Sequence, residues 1–434
     1  MSAIAGFMAD KGHDVYGSDR AFQNNPAHPA YLTLKAKGAL IVPQDGKALD
    51  SSFDLAVFST AVEADQPEVV RAGELGIKTR TRPEYLADIV AEHRTIAIAG
   101  TSGKSTVSGM LAFVMKQLGM SPNFIGGGRV KQFRSPSNPG NSIVGDSDLL
   151  VVEACESDGS IVNYKPKQSV ILNLDLDHHS IGETARMFGL LAMNTEEKVF
   201  VNADDIDLKS VAIKEPVHFS INSPSGYTPE DIVLKPFGTD FRLKGTLLSL
   251  SIPGKYNLYN ALATVAVLSE MGIAMKDIAP VLPEFRGIER RFDVYLNEGG
   301  KLVIDDYAHN PHKIASLMEA MVKVKEKICY IFQPHGFGPT RMMKDGYVNV
   351  FARHLRPADR LILLPIYYFG GTAVRDISSE VLAQGIRDDN RSAIAVENRG
   401  AVLDNAGAWD NYVILGARDE TLSDFAKELA TRLK

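Results

Sequence analysis

Only two cysteines, Cys155 and Cys329, occur among 434 residues, far apart in the chain. They form neither a disulfide framework nor a zinc-ligand spacing. Long apolar runs are missing too. Leu361 to Leu364 is typical, against the ~20 residues that span a bilayer. No secretory signal opens the chain, because Asp10, Lys11 and Asp14 interrupt any apolar segment. Basic runs are absent and the formal net charge is −6, which argues against a nucleic-acid partner. With 45% hydrophobic and 23% charged residues, the composition excludes a disordered, collagen-like or coiled-coil chain. These absences leave a cytoplasmic enzyme, monomer or homodimer, with small-molecule substrates and no membrane or nucleic-acid partner, as the expectation. At ~150 residues per domain the length predicts about three domains. What is plentiful is glycine, with 36 residues, the residue that phosphate-binding turns consume.

Apolar runs of five or six residues alternate with segments of helical period, which predicts an α/β protein with mostly parallel sheets. Three blocks follow, over residues 1–93, 94–293 and 294–434. The first reads helix first (Ser2 to Lys11), then strands at Asp14 to Ser18, Leu55 to Ser59 and Ile77 to Thr79. A Rossmann-like unit starts instead with a strand and a glycine turn, so the block looks short at its front by about one strand and that turn. Asp19, at the end of what would be the second strand of such a unit, has no glycine loop to work with. Without a Gly-x-Gly-x-x-Gly turn, a dinucleotide oxidoreductase is disfavoured. The second block carries strands at Thr95 to Gly100, Leu149 to Glu153, Ser169 to Asn173 and Val199 to Asn202, an antiparallel excursion within 223–253, and a helix from Asn257 to Met271. The third repeats the doubly wound pattern, with strands at Leu302 to Asp305, Ile328 to Phe332, Arg360 to Leu364, Ala393 to Val396 and Tyr412 to Leu415.

Five motifs carry chemistry. Strand Ile96–Ala99 runs into Gly100-Thr101-Ser102-Gly103-Lys104-Ser105-Thr106 and a helix. A glycine turn at a helix N-terminus presents backbone N–H groups to phosphates, with Lys104 reaching the β/γ-phosphates and the Ser105 hydroxyl ligating Mg²⁺. The usual first glycine is displaced, since Ile98 stands there, so this is a short P-loop variant. Glu153 closes an apolar strand, where a carboxylate beside the P-loop holds the nucleotide's Mg²⁺ or forms an acidic turn. Asp177-His178-His179 ends another strand and could bind a second cation. Asn257 and Asn260 share one helix face and either read an adenine edge or cap the helix. Finally, Glu289-Arg290-Arg291 and Asp305-Asp306-Tyr307-Ala308-His309-Asn310 flank the start of the third block, as phosphoryl-stabilising groups or as a salt-bridged hinge.

In this order the motifs resemble the Mur ligase family, the ATP-dependent amide ligases of peptidoglycan precursor synthesis, over essentially the whole chain. Val57 to Glu68, and Phe332-Gln333-Pro334-His335 followed by Arg341, are similar to the branch that joins L-alanine to UDP-N-acetylmuramate. The alternatives are the branch that reattaches recycled tripeptide, and a nucleotide-binding relative with an altered substrate. The resemblance implies an N-terminal Rossmann-like UDP-substrate domain, a central P-loop ATPase domain and a C-terminal Rossmann-like α/β domain for the amino acid. It implies ATP and Mg²⁺, and a reaction through an acyl phosphate. By motif, Gly100 to Thr106 cradle the phosphates, and Lys104, Glu153, His178 and Arg291 act in catalysis. Ser105, Glu153 and His178 hold metal. Asn257, Asn260, Arg291 and Asp306 contact the nucleotide, and Asp19, His309, His335 and Arg341 the other substrates. The chain departs from the family at Ser102 and Tyr256, each where histidine is common. Gly336 and Pro339 occupy the stretch after Gln-Pro-His where basic residues are expected. Replacing Lys104 with alanine is expected to remove activity and leave the fold intact.

Overall fold

The run Thr95-Ile96-Ala97-Ile98-Ala99 offers no side chain that seeks water beyond its first residue. It forms the middle strand, Arg94–Ala99, of a seven-stranded sheet. The computed structural model describes residues 1–24, 28–176, 179–368 and 374–434. By contact these fall into two compact units. The first comprises Met1–Ile232, Asp240–Ser251 and Asn257–Ile288, and the second Val233–Thr239, Ile252–Tyr256 and Glu289–Lys434.

In the first unit the sheet order is Val217–Phe219, Lys198–Asn202, Gln168–Ile171, Arg94–Ala99, Leu149–Glu153, Asn123–Ile125, Ser142–Ile143. All pairings are parallel except the last. Strand Leu149–Glu153 lies directly beside the P-loop strand, with Glu153 opposite Ile98. Helix Lys104–Gln117 is buried without interruption from Thr106 to Met115, as expected of a helix enclosed by core on every side. The opening helix, Ser2–Asp10, buries Ile4 and Phe7 in one cluster with Leu86, Ile89 and Val90 and with the sheet residues Ala97, Ala99 and Val152. A capping box of Thr81 and Glu84 starts helix Arg82–Ala91, satisfying two amides that the helix cannot. The short strands of the first block pair in parallel, Tyr16–Gly17 with Leu40–Ile41 and Leu55–Phe58 with Lys78–Thr81. Residues 230–250 form a separate three-stranded sheet in chain order.

The second unit holds a six-stranded sheet ordered Asp293–Glu298, Lys301–Asp306, Asn411–Gly416, Cys329–Gln333, Arg360–Leu363, Ala393–Ala395. Its first pair is an antiparallel hairpin and the rest are parallel. Gly299 and Gly300 turn that hairpin at φ +59° and +81°, values that side chains avoid. Successive residues pack on opposite faces. Leu302 and Ile304 join one core with Tyr330 and Phe332, while Val303 joins another with Cys329 and Ile331. Such two-sided burial is the mark of a sheet covered by helices on both faces. Among the described residues no helix is long and apolar enough to cross a membrane.

Candidate active site

The glycine turn holds its shape through the neighbouring strand. Thr101 donates its hydroxyl to Asn173 Oδ1 at 2.9 Å, the Ser102 amide donates to the same oxygen at 2.8 Å, and Asn173 Nδ2 donates to the Ser102 carbonyl at 3.0 Å. The shortened loop therefore gains from Asn173 the rigidity that its missing residues would otherwise supply. Gly103 opens helix Lys104–Gln117 at φ +86° with no side-chain cap among the described residues, and the first amides of a helix, which lack intrahelical partners, suit an anion.

Lys104 lies across this nest. Its ammonium donates to the Gly100 carbonyl at 2.5 Å and to Glu156 Oε2 at 2.8 Å. Burial works against its charge, but Glu156, Cys155 and Glu153 outweigh it and hold its pKa above the ordinary lysine range. Beside it, Ser105 Oγ donates to Glu153 Oε1 at 3.0 Å, and the Gly127 amide donates to Glu153 Oε2 at 2.8 Å. Gly127 belongs to the triplet Gly126–Gly128. A Cβ on Gly127 would lie 3.1 Å from Glu153 Oε2, and one on Gly128 would lie 2.8 Å from Ser105 Cβ. The cradle therefore needs backbone without side chains. A hydroxyl and a carboxylate, both hard oxygens, suit Mg²⁺, which takes its other ligands from water and phosphate.

Asn257 and Asn260 are both buried, and Asn260 Nδ2 donates to Asn257 Oδ1 at 3.0 Å. They border the P-loop itself, since a Cβ on Gly103 would fall 2.7 Å from Asn260 Oδ1. Gly103→Ala should therefore weaken ATP binding about tenfold, because a left-handed side chain costs ~1–2 kcal/mol and collides as well. Gly119 also has positive φ, +76°, but no atom of the described residues lies within 4 Å of its Cβ position, so Gly119→Ala should leave nucleotide affinity unchanged. Titration calorimetry with ADP compares the two variants, and equal affinities would contradict this account.

In the second unit the arginine pair divides its duties. Arg290 is buried and donates from Nε to Asp305 Oδ2 at 3.0 Å, from Nη2 to the Gly416 carbonyl at 2.7 Å and from Nη1 to the Asp419 carbonyl at 3.1 Å. It is thus a structural bolt. Arg291 is the half-buried member, its guanidinium 4.8 Å from the Tyr307 ring centre. Asp306 accepts from the Phe292 amide at 2.7 Å and the Ala308 amide at 2.8 Å. Burial raises its pKa, against Arg291 and those amides. His309 accepts no charge readily: burial, helped by Lys313, His335 and Arg291, pushes it down to about 3, against its bond to the Tyr307 carbonyl. Its ring centre lies 5.4 Å from that of His335. Burial and Arg418 lower His335 as well. Arg341 pairs with Asp376 at the surface. Asp19, in the first unit, is exposed and accepts from the Ala21 amide at 2.8 Å. His178 lies outside the described residues.

Sequence reasoning overlooked Glu156, Asn173 and the triplet Gly126–Gly128. Three successive glycines after a strand were a local signal for the last. Glu156 and Asn173 act through partners distant in sequence and gave no such signal.

The chain matches the Mur ligase family catalytic domain over residues 1–94, the Mur ligase middle domain over 98–268 and the Mur ligase glutamate ligase domain over 290–418. A UDP-N-acetylmuramate–L-alanine ligase of Caldicellulosiruptor saccharolyticus is 32% identical, over 96% of this chain and 94% of that protein. One from Persephonella marina is 31% identical, over 98% and 93%. The crystal structure of UDP-N-acetylmuramate-alanine ligase from Thermotoga maritima superposes with a TM-score of 0.81 at 27% identity, covering 100% of this chain and 96% of that one. A murein peptide ligase from Psychrobacter arcticus shares the fold, with a TM-score of 0.69 at 20% identity, covering 100% and 96%. With full-length relatives above 30% identity and all three domain models in order, the chain belongs to the Mur ligase family and has its three-domain α/β fold of mostly parallel sheets.

Proposed function

We propose that the protein is a cytoplasmic, ATP-dependent ligase that joins L-alanine to the carboxylate of UDP-N-acetylmuramate, releasing ADP and phosphate. The observation that carries this is the P-loop with Lys104 across it and the Ser105–Glu153 oxygen pair at its side, in a chain similar along its length to enzymes of that name. The domains would run over 1–93 for the UDP substrate, with Asp19 beside it, 94–293 for ATP and 294–434 for the amino acid.

A carboxylate is a poor electrophile, so it must first gain a leaving group. Its oxygen attacks the γ-phosphorus of ATP and ADP departs. The neutral amine then attacks the acyl carbon, and phosphate leaves as the amide forms. Both steps concentrate negative charge, which fixed cations and amides stabilise. The helix amides after Gly103 would hold phosphate oxygens, and Lys104 would follow the migrating charge. Ser105 and Glu153 would hold Mg²⁺, with His178 toward a second ion; when bound, Mg²⁺ neutralises phosphate charge. Asn257 and Asn260 would border the base, and Arg291 and Asp306 would contact the nucleotide. His309 and His335, kept uncharged, would line the side where the amine must stay unprotonated, with Arg341 nearby in sequence.

Phosphate release should require ATP, UDP-N-acetylmuramate and L-alanine together. Release at the same rate from ATP alone would sink the ligase reading. Gly336 and Pro339 favour a second reading, since the stretch after Gln-Pro-His lacks its expected basic residues. Supplying recycled tripeptide in place of L-alanine separates the two amine substrates.

A further inference from the structure

Strand Asn411–Gly416 ends in Gly416-Ala417-Arg418-Asp419, and Arg418 sits at φ +68°. A long side chain is rarely left in that region, and where it persists the surroundings impose it. Here the Arg418 amide donates to the Tyr307 hydroxyl at 3.4 Å, while Arg290 fixes the carbonyls of Gly416 and Asp419 on either side. The loop thus presents the Arg418 side chain to solvent.

The other arginines of this edge are engaged. Arg290 is bound to Asp305, Arg399 to Asp419, Gln333 and Thr421, and Arg341 to Asp376. Arg291 lies over Tyr307. The Arg418 guanidinium has no ion pair or hydrogen bond among the described residues. Its charge is felt by His335, whose Nδ1 is buried with no partner among the described residues. Tyr307, His309 and His335 form a continuous row of rings, spaced 5.5 and 5.4 Å. Residues 336–340, Gly-Phe-Gly-Pro-Thr, bring no charge to His335.

An amine attacks only when neutral, so the reacting amino acid is a net anion through its carboxylate. A site for it needs one cation and hydrogen-bonding groups that do not protonate the amine. We propose that Arg418, with the unpartnered Nδ1 of His335, binds the carboxylate of the incoming amine substrate. The cation that the chain lacks after Gln-Pro-His then comes from the end of another strand. This rests on the ligase reading above.

Steady-state phosphate release by the full chain tests it through Arg418→Gly. Glycine takes φ +68° without strain, so this variant keeps the fold, as a melting curve checks. The KM for L-alanine should rise about 10- to 100-fold, the range of a lost charged hydrogen bond, with the KM for ATP unchanged. Wild type should prefer L-alanine to L-alaninamide, which lacks the carboxylate, and the variant should lose that preference. Arg418→Lys should restore part of it. An unchanged KM and an unchanged preference in Arg418→Gly would overturn the proposal alone. If wild type shows no amine-dependent release with L-alanine or tripeptide, the ligase reading falls and this proposal with it.

Discussion

Lys104→Ala should lower amine-dependent phosphate release by about 10²–10³-fold, the loss typical of one preorganised charge-stabilising donor. It should also destabilise the first unit, which sequence alone does not anticipate. The Lys104 and Glu156 side chains are only 11% and 1% exposed and meet at 2.8 Å. Glu156 Oε1 already lacks a partner among the described residues. Deleting the lysine strands the carboxylate in the interior, and breaking a buried pair from one side costs ~3–5 kcal/mol. Removing the pair as a whole costs far less, because no unpaired charge remains. Lys104→Met combined with Glu156→Gln should therefore be as inactive as Lys104→Ala yet melt close to wild type. Circular dichroism melts beside phosphate-release assays check both halves. Wild-type stability in Lys104→Ala would show that the pair contributes nothing to folding. Full activity in the double variant would remove Lys104 from the phosphate site.

The reason this was only half visible in the sequence is physical. Gly100 to Thr106 announces itself locally: a buried strand, glycines at the turn, a helix that starts at lysine. Glu153 is legible for the same reason, as the first carboxylate after an apolar strand. Glu156, three residues on, looks like one more acid of a solvated turn. Its role depends on Lys104, 52 positions away, which only the parallel pairing of two strands brings near. Asn173 is hidden in the same way, since its bonds run to Thr101 and Ser102. The division of labour between Arg290 and Arg291 turns on left-handed backbone at Arg290 and Phe292, φ +58° and +49°, at residue types that give no hint of it. The sheets were readable where strands are long and apolar. Asn123–Ile125, Ser142–Ile143 and Val217–Phe219 have two or three residues, too few for periodicity to register. Asp293–Glu298 escaped because its residues are mixed in polarity, although Gly299-Gly300 is a hairpin signal.

Arg290→Met should cost the second unit about 3–5 kcal/mol near pH 8, and much less near pH 5. Asp305 is fully buried beneath this guanidinium. Burial raises its pKa, to about 6, with Arg290 pulling the other way and Asp306 and Asp293 adding to the rise. Without Arg290, burial, Asp306 and Asp293 favour the neutral acid, opposed by the Ser423 hydroxyl, which donates to Asp305 Oδ2 at 3.4 Å. A folded-state pKa above the unfolded value of ~3.9 means stability that is fully present below the unfolded pKa and lost as pH climbs through the folded one. In wild type that loss is confined to the interval between about 4 and 6. In the variant the folded pKa moves higher, so the loss continues past neutrality, and the gap from wild type widens with pH. Urea midpoints of both proteins at the two pH values, with unchanged slopes, measure that gap. Arg290→Met with Asp305→Leu should regain stability and lose this pH dependence, since no buried carboxyl remains. Arg290 also donates to the carbonyls of Gly416 and Asp419, contacts that do not titrate. A deficit equal at both pH values would mean that these carbonyl bonds, and not the charge on Asp305, are what Arg290 contributes to the loop carrying Arg418.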